Sequence, residues 1–198
     1  MVIKIILSII IGTLLGYNFR FDFLIENIDY LIDLGLCLLL FFIGIEIGKN
    51  KQIFLDLKKF GYRLLLLPLA IVTGTIFGGF ISSFFVDMNV FETTAISAGL
   101  GWYSLSAIEL SKYSAVLGST AFLSNIFREL MAILFIPFIA KYIGHTETIA
   151  VAGATSMDTL LPLITKNTNS STAVISFFTG VVLSFLVPIL VPFIIGLS

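Results

Sequence analysis

The sequence is poor in reactive and charged side chains. Its 198 residues include one cysteine, one histidine and one tryptophan, and Asp, Glu, Lys and Arg together make up only 12%. The lone Cys37 excludes an internal disulfide, and Cys37 with His145 is too small a set for a Cys/His metal site. A P-loop, an H-E-x-x-H pattern and a G-x-G-D pattern are all absent, so we predict neither ATP-driven transport by this chain nor an enzyme. The net charge of −1 gives no basic surface for nucleic acid.

Apolar residues are abundant instead: they form 58% of the chain, and phenylalanine alone contributes 20 residues. A soluble domain of this length cannot bury so much apolar surface, so we predict an all-α integral membrane protein with one transmembrane domain, residues 1–198. The hydropathy pattern favours about five full transmembrane helices, near 2–17, 30–48, 64–86, 115–141 and 172–197. The segments 93–113 and 147–166 are too polar for ordinary spans and are predicted to be broken, whether re-entrant or fully spanning.

The charge pattern predicts the orientation in the bacterial cytoplasmic (inner) membrane. Lys4 followed by Ile5–Leu15 resembles a signal peptide, but no small-residue cleavage site follows, so a retained first helix is expected. The residues at 49–63 include four lysines and one arginine and form the strongest cationic cluster. The positive-inside rule places this cluster in the cytoplasm, which puts the N-terminus inside and the C-terminus outside.

Two apolar stretches carry glycines and hydroxyls at their centres. Residues 153–162 read G-A-T-S-M-D-T-L-L-P, and residues 98–106 read A-G-L-G-W-Y-S-L-S. Each precedes a long apolar helix that contains a similar proline motif, so the units at about 93–141 and 147–197 form a weak inverted repeat. Broken helices with unpaired backbone groups near the middle of the membrane are typical of secondary transporters. The alternative for 153–162 is a Ser/Thr-rich kink that only packs helices.

The predicted helix at 115–141 carries Asn125, Arg128 and Glu129 near its middle. A carboxylate at that depth is costly and normally faces protein or water, so Glu129 and Asp158 are candidate binding groups. Asn125 and Glu129 are spaced i, i+4 and share one face, whereas Arg128 points elsewhere. Arg128 is either an anion-binding group or a lock between helices.

The motifs G-W-Y-S-L-S at 101–106, N-x-x-R-E at 125–129 and G-A-T-S-M-D-T-x-L-P at 153–162 resemble the LysO-type bacterial lysine exporters. The resemblance covers essentially the whole chain, although Ala107 stands where members often have glycine. It implies export of L-lysine and its analogue thialysine, with Glu129 and Asp158 as the intramembrane acidic residues. The chain is expected to correspond to the C-terminal two-thirds of longer members. A small membrane protein of about three helices would then supply the remaining N-terminal part, and a homodimer is the alternative.

The predicted mechanism needs no cofactor and is proton-coupled antiport, in which a proton and the lysine ammonium compete for Glu129 or Asp158. The alternatives are a sodium-coupled or other organic-solute exporter, with Thr155 and Ser156 as sodium ligands, and a non-transporting membrane subunit. The substrate carboxylate is expected to bind either backbone N–H groups near 99–101 or 153–155, or Arg128. Side chains expected to line the cavity at the two breaks are Gly99, Gly101, Trp102, Tyr103, Ser104, Ser106, Gly153, Thr155, Ser156, Met157 and Thr159.

Overall fold

The computed structural model describes residues 63–198, together with isolated helical positions at 11, 14–16, 30, 34, 38, 41 and 45. Its contacts divide the chain into residues 1–48 and residues 49–198, and the second unit is the one described below. Apart from those isolated positions, the predicted helices at 2–17 and 30–48 lie outside the described residues, as does the cationic loop up to residue 62.

Between residues 63 and 198 all regular structure is helical, which confirms the predicted fold class for this part of the chain. The elements are α1 (Arg63–Ser82), α2 (Val90–Ser97), α3 (Tyr103–Ser111), α4 (Ala115–Tyr142), α5 (His145–Ala152), a 3₁₀ helix (Gly153–Met157), α6 (Leu161–Asn167) and α7 (Ser170–Ile195).

Three of these helices are long and apolar enough to cross a membrane: α1, α4 and α7, with mean hydropathies of 2.2, 1.7 and 2.5. They correspond to the predicted spans at 64–86, 115–141 and 172–197, while the total of five remains a prediction. The predicted broken segments are the helix pairs α2–α3 and α5–α6, in which no helix exceeds 9 residues. Each pair precedes one long helix.

The connection between α1 and α2 differs from its prediction. Helix α1 ends at Ser82 rather than at Val86, because the next three N–H groups, of residues 83–85, donate to carbonyls three residues back instead of four. Helix α2 begins at Val90 rather than after Glu92, because Asn89 caps it: Asn89 Oδ1 accepts the N–H of Phe91, and the Glu92 carboxylate accepts the N–H of Asn89.

One buried apolar cluster of this unit lies between α4 and the α5–α6 pair. Ala132 and Ile136 of α4 are fully buried against Ala152, Leu160 and Ile164. These apolar contacts hold the second broken segment against the middle of α4.

Candidate functional site

The first break separates α2 from α3. Leu100 and Gly101 both have positive φ angles, 52° and 97°, which end α2 and turn the chain. Leu100 is fully buried, and a non-glycine residue in this conformation persists only where its surroundings fix it.

Asn125 of α4 holds this break in place. Its Oδ1 accepts the N–H of Gly101 at 2.8 Å, and its Nδ2 donates to the carbonyl of Ile96 and to Ser106 Oγ at 3.2 and 3.3 Å. The residue is only 3% exposed. A side chain on Gly99 would come within 2.7 Å of that amide, so the break requires glycine there. Asn125, predicted as a substrate ligand, therefore bonds the backbone that the break leaves without helical partners.

The second break begins at Gly153, with φ of 66°, and continues through the 3₁₀ helix. It meets the first break directly, because the N–H of Ala154 donates to the carbonyl of Leu100 at 2.9 Å. A side chain on Gly153 would collide with that Leu100 carbonyl and with the guanidinium of Arg128. The two interrupted segments thus share one point of contact beside α4.

Helix α7 supports the second break from the other side. Ser156 Oγ donates to the carbonyl of Ser176 at 3.0 Å, and Ser176 Oγ donates to the carbonyl of Ser156 at 2.8 Å. A side chain on Gly180 would lie 2.5 Å from the backbone nitrogen of Met157. Met157 Sδ accepts from Ser184 Oγ at 3.6 Å, and Thr155 Oγ1 donates to the carbonyl of Ala152. The hydroxyls of the predicted lining residues Thr155 and Ser156 thus bond to backbone carbonyls.

The two predicted carboxylates meet at Thr159. Thr159 Oγ1 donates to Glu129 Oε1 at 2.7 Å, and the Thr159 N–H donates to Asp158 Oδ1 at 2.6 Å. Thr159 therefore links the two carboxylates through one hydrogen bond to each. Asp158 and Thr159 are exposed, and Glu129 is partly exposed. Nothing in the described part of the chain groups three His, Cys, Asp or Glu side chains as a metal site would.

Arg128 lies against the second break but on a different side of α4 from Glu129. Its only protein hydrogen bond within residues 63–198 is long: Nη2 donates to the carbonyl of Ala150 at 3.5 Å. The sole salt bridge found in that range joins Lys112 to Glu109, so no described carboxylate neutralises Arg128.

The two aromatic side chains of the first break pack against another ring or lie partly exposed. The ring of Tyr103 packs edge-on against Phe122, with ring centroids 5.6 Å apart, while Trp102 is partly exposed at the start of α3. Ser104 is exposed in the first turn of α3.

Several residues that build the site carry no signal in the sequence. Leu100 is an apolar residue in an apolar run, and Ala150, Ser176 and Gly180 act through backbone groups or small size. Only the general rule that glycine permits close backbone approach points to Gly180. Which backbone carbonyls accept these hydrogen bonds depends on tertiary contacts alone.

Comparisons with known proteins show which family this chain belongs to. The family model of the lysine exporter LysO matches residues 6–195. The lysine exporter LysO of Escherichia coli K12 is 36% identical over 163 residues, which cover 80% of this chain and 52% of that protein. A Haemophilus influenzae Rd protein named "Putative lysine exporter" is 32% identical over 191 residues, covering 94% of each chain. No solved structure matches significantly.

The lengths of these two relatives correct the expectation about how much of the family this chain covers. This chain spans about half of the Escherichia coli protein and nearly all of the Haemophilus influenzae protein, so the predicted match to the C-terminal two-thirds of the family is not borne out. The match itself includes α4 and both breaks. The chain is a membrane protein and belongs to the lysine exporter LysO family.

Proposed function

We propose that this protein exports L-lysine from the cytoplasm as a secondary transporter. The observation that carries the proposal is the meeting of Glu129 and Asp158 at Thr159, beside two interrupted helices in a chain of this family. Both relatives described above are named as lysine exporters.

The chemistry of the acidic pair fits a cationic solute. Lysine carries two ammonium groups and one carboxylate, and two neighbouring carboxylates repel each other until a cation compensates them. At an effective dielectric of about 20, two opposite unit charges about 4 Å apart attract by about 4 kcal/mol. Thialysine has the same charged groups, so we expect it to be exported as well.

The direct test uses everted membrane vesicles from a host without its own lysine exporter, in which this chain is co-expressed with the small membrane protein that is expected to complete the transporter. Because export from the cytoplasm becomes uptake in everted vesicles, we expect time-dependent accumulation of radiolabelled lysine above that of vesicles with empty vector. Leucine, which lacks the second ammonium group, serves as the control solute. Lysine accumulation at the level of the empty vector would contradict the proposal.

We further propose that export is coupled to protons. A carboxylate that must release its proton before it can bind an ammonium group provides the minimum requirement for antiport. Sodium is the alternative coupling ion, but its candidate ligands Thr155 and Ser156 are buried, Ser156 completely, whereas Asp158 is exposed. Uptake into everted vesicles is therefore expected to require a proton gradient and to be unchanged when sodium is replaced by choline. Uptake that follows sodium instead would contradict proton coupling.

The architecture is proposed to be an inverted repeat of two re-entrant segments, α2–α3 and α5–α6, each followed by a spanning helix. The order of two short helices and one long helix occurs twice, and the breaks meet where Ala154 bonds Leu100. With the N-terminus in the cytoplasm and the C-terminus outside, cysteine labelling at Ser198 is expected to be possible from outside intact cells. Labelling only after permeabilisation would contradict this orientation.

A further inference from the structure

An open cavity of about 270 Å³, with more apolar than polar lining surface, lies between α1, the end of α2 and α4. This volume far exceeds the roughly 30 Å³ share of one water molecule. Side chains and backbone from all three elements line it: Thr75, Gly78, Gly79, Ile96, Ser97, Ser124, Asn125 and Arg128. Arg128 is the one charged residue among these described lining residues, so the cavity favours an anionic group.

Arg128 is poorly compensated by the described residues around it. Its guanidinium has five donor hydrogens, and within residues 63–198 it makes a single hydrogen bond of 3.5 Å and no ion pair. A cation held inside a membrane protein without a counter-ion is costly, and such residues commonly mark a ligand pathway. The guanidinium is also suited to hold a carboxylate through two parallel hydrogen bonds.

Five of the six backbone N–H groups expected as competing donors for a substrate carboxylate, those of residues 99–101, 153 and 154, are already used. In the first break, the N–H groups of residues 99, 100, 102 and 103 donate to backbone carbonyls, and that of Gly101 donates to Asn125. In the second break, the N–H of Gly153 donates to Ile149, and that of Ala154 donates to Leu100. Backbone capture of an anion at either break would therefore require breaking these bonds.

We propose that the cavity binds the α-carboxylate of the exported amino acid through Arg128, with the hydroxyls of Thr75, Ser97 and Ser124 as further donors. This inference rests on the proposed function and deepens it. The acidic pair at Thr159 selects for the ammonium groups, and Arg128 selects an amino acid over a plain diamine. Adjacent residues on a helix diverge by about 100°, which separates the Arg128 and Glu129 side chains into two subsites.

The test compares lysine with lysinamide and cadaverine, which keep the ammonium groups but lack the carboxylate. In everted vesicles with the unaltered protein, we expect both analogues to compete with radiolabelled lysine about tenfold more weakly than lysine itself, as for a lost hydrogen bond to a charged group. Arg128→Met is expected to raise the KM for lysine about tenfold while leaving the inhibition constant of lysinamide nearly unchanged. Compared with Arg128→Met, Arg128→Lys should restore part of the preference for lysine over lysinamide. Its ammonium group restores the positive charge but cannot form two parallel hydrogen bonds to a carboxylate.

A structural lock would behave differently. If Arg128 only joins helices, Arg128→Met would lower the amount of folded protein or the maximal rate, and the preference for lysine over lysinamide would persist. That persistence would overturn the proposal. Lys166→Met, which removes an exposed positive charge at the end of α6, is the control for charge loss and is expected to leave the preference unchanged.

A second variant fills the cavity without altering Arg128. Gly78 lines the cavity and Gly74 does not, yet a Cβ added at either position would meet no described atom within 4 Å. We expect Gly78→Leu to raise the KM for lysine severalfold and Gly74→Leu to leave it unchanged. Equal transport by the two variants would contradict the proposal. Absence of lysine uptake by the unaltered protein would instead refute the proposed function.

Discussion

At the scale of single residues, α4 sends its three central polar side chains to different partners. Asn125 bonds the first break, Glu129 bonds Thr159 after the second break, and Arg128 lines the cavity. The sequence identified all three as candidates because polar groups in the middle of an apolar helix are costly. It could not assign Asn125 to the backbone, since that role depends on carbonyl and N–H groups that only tertiary contacts bring near.

The carboxylates provide the first prediction at this scale. Glu129→Gln and Asp158→Asn each keep the shape and remove the charge, so each is expected to reduce lysine uptake into everted vesicles at least about a hundredfold while membrane insertion is retained. Glu147→Gln, at an exposed position in the first turn of α5, is the matched control. Uptake at the wild-type rate by either site variant would show that transport does not require that carboxylate.

Thr159 provides a second prediction. Thr159→Val removes the hydroxyl that donates to Glu129 and preserves the N–H that donates to Asp158. Because a hydrogen bond to a charged group contributes about 1.5–3 kcal/mol, we expect transport to fall about tenfold or more. Thr165→Val, which loses only a bond within α6, should transport like the unaltered protein. Equal rates for both variants would show that Thr159 does not position Glu129.

At the scale of elements, the positions of glycine and proline in the sequence predicted where the helices are interrupted. Gly101 and Gly153 both take positive φ, and Pro162 stands in the first turn of α6, as their conformational preferences indicate. The sequence did not indicate that Leu100 would adopt positive φ, because leucine avoids that region. Its carbonyl is held there by Ala154 across the two breaks, and no local pattern encodes such a contact.

The packing of α7 against the 3₁₀ helix leads to a prediction on stability. A side chain at residue 180 would lie 2.5 Å from the Met157 nitrogen, which is backbone and cannot rotate away. Gly180→Val is therefore expected to cost about 1–3 kcal/mol and to lower the melting temperature in detergent by about 5 °C. Gly74→Val, with no described atom near its added Cβ, should melt within about 1 °C of the unaltered protein. Similar melting of both would show that α7 can move away from the break.

At the scale of the whole molecule, both interrupted segments converge beside α4. The backbone bond between Ala154 and Leu100 joins them, the acidic pair lies by the second break, and the cavity lies by the first. This convergence places the Glu129 carboxylate and the Arg128 guanidinium on different sides of one helix, as the two proposed subsites require. Motion at either break would be transmitted to the other through that bond, which is the kind of coupling that alternating access requires.

The last prediction concerns what completes the transporter. The chain spans 52% of the Escherichia coli exporter but 94% of the Haemophilus influenzae relative. We propose that a separate small membrane protein of about three helices completes the transport unit by supplying an N-terminal part, with a second copy of this chain as the alternative. Paired halves enclose the site in many secondary transporters, and a lone half would leave the exposed Asp158 facing lipid at a high cost.

The measurement is lysine efflux from a strain without other lysine exporters. Expressed alone, this chain is expected to insert and to fail in export. Co-expression with a small membrane protein of about three helices from a neighbouring reading frame should restore efflux, and the two should co-purify in mild detergent. Full efflux by this chain alone, with a mass in detergent of two copies, would refute the small partner. In that case, mixing inactive Glu129→Gln subunits with unaltered ones should reduce efflux more than in proportion to their number, because each dimer would need both acidic pairs.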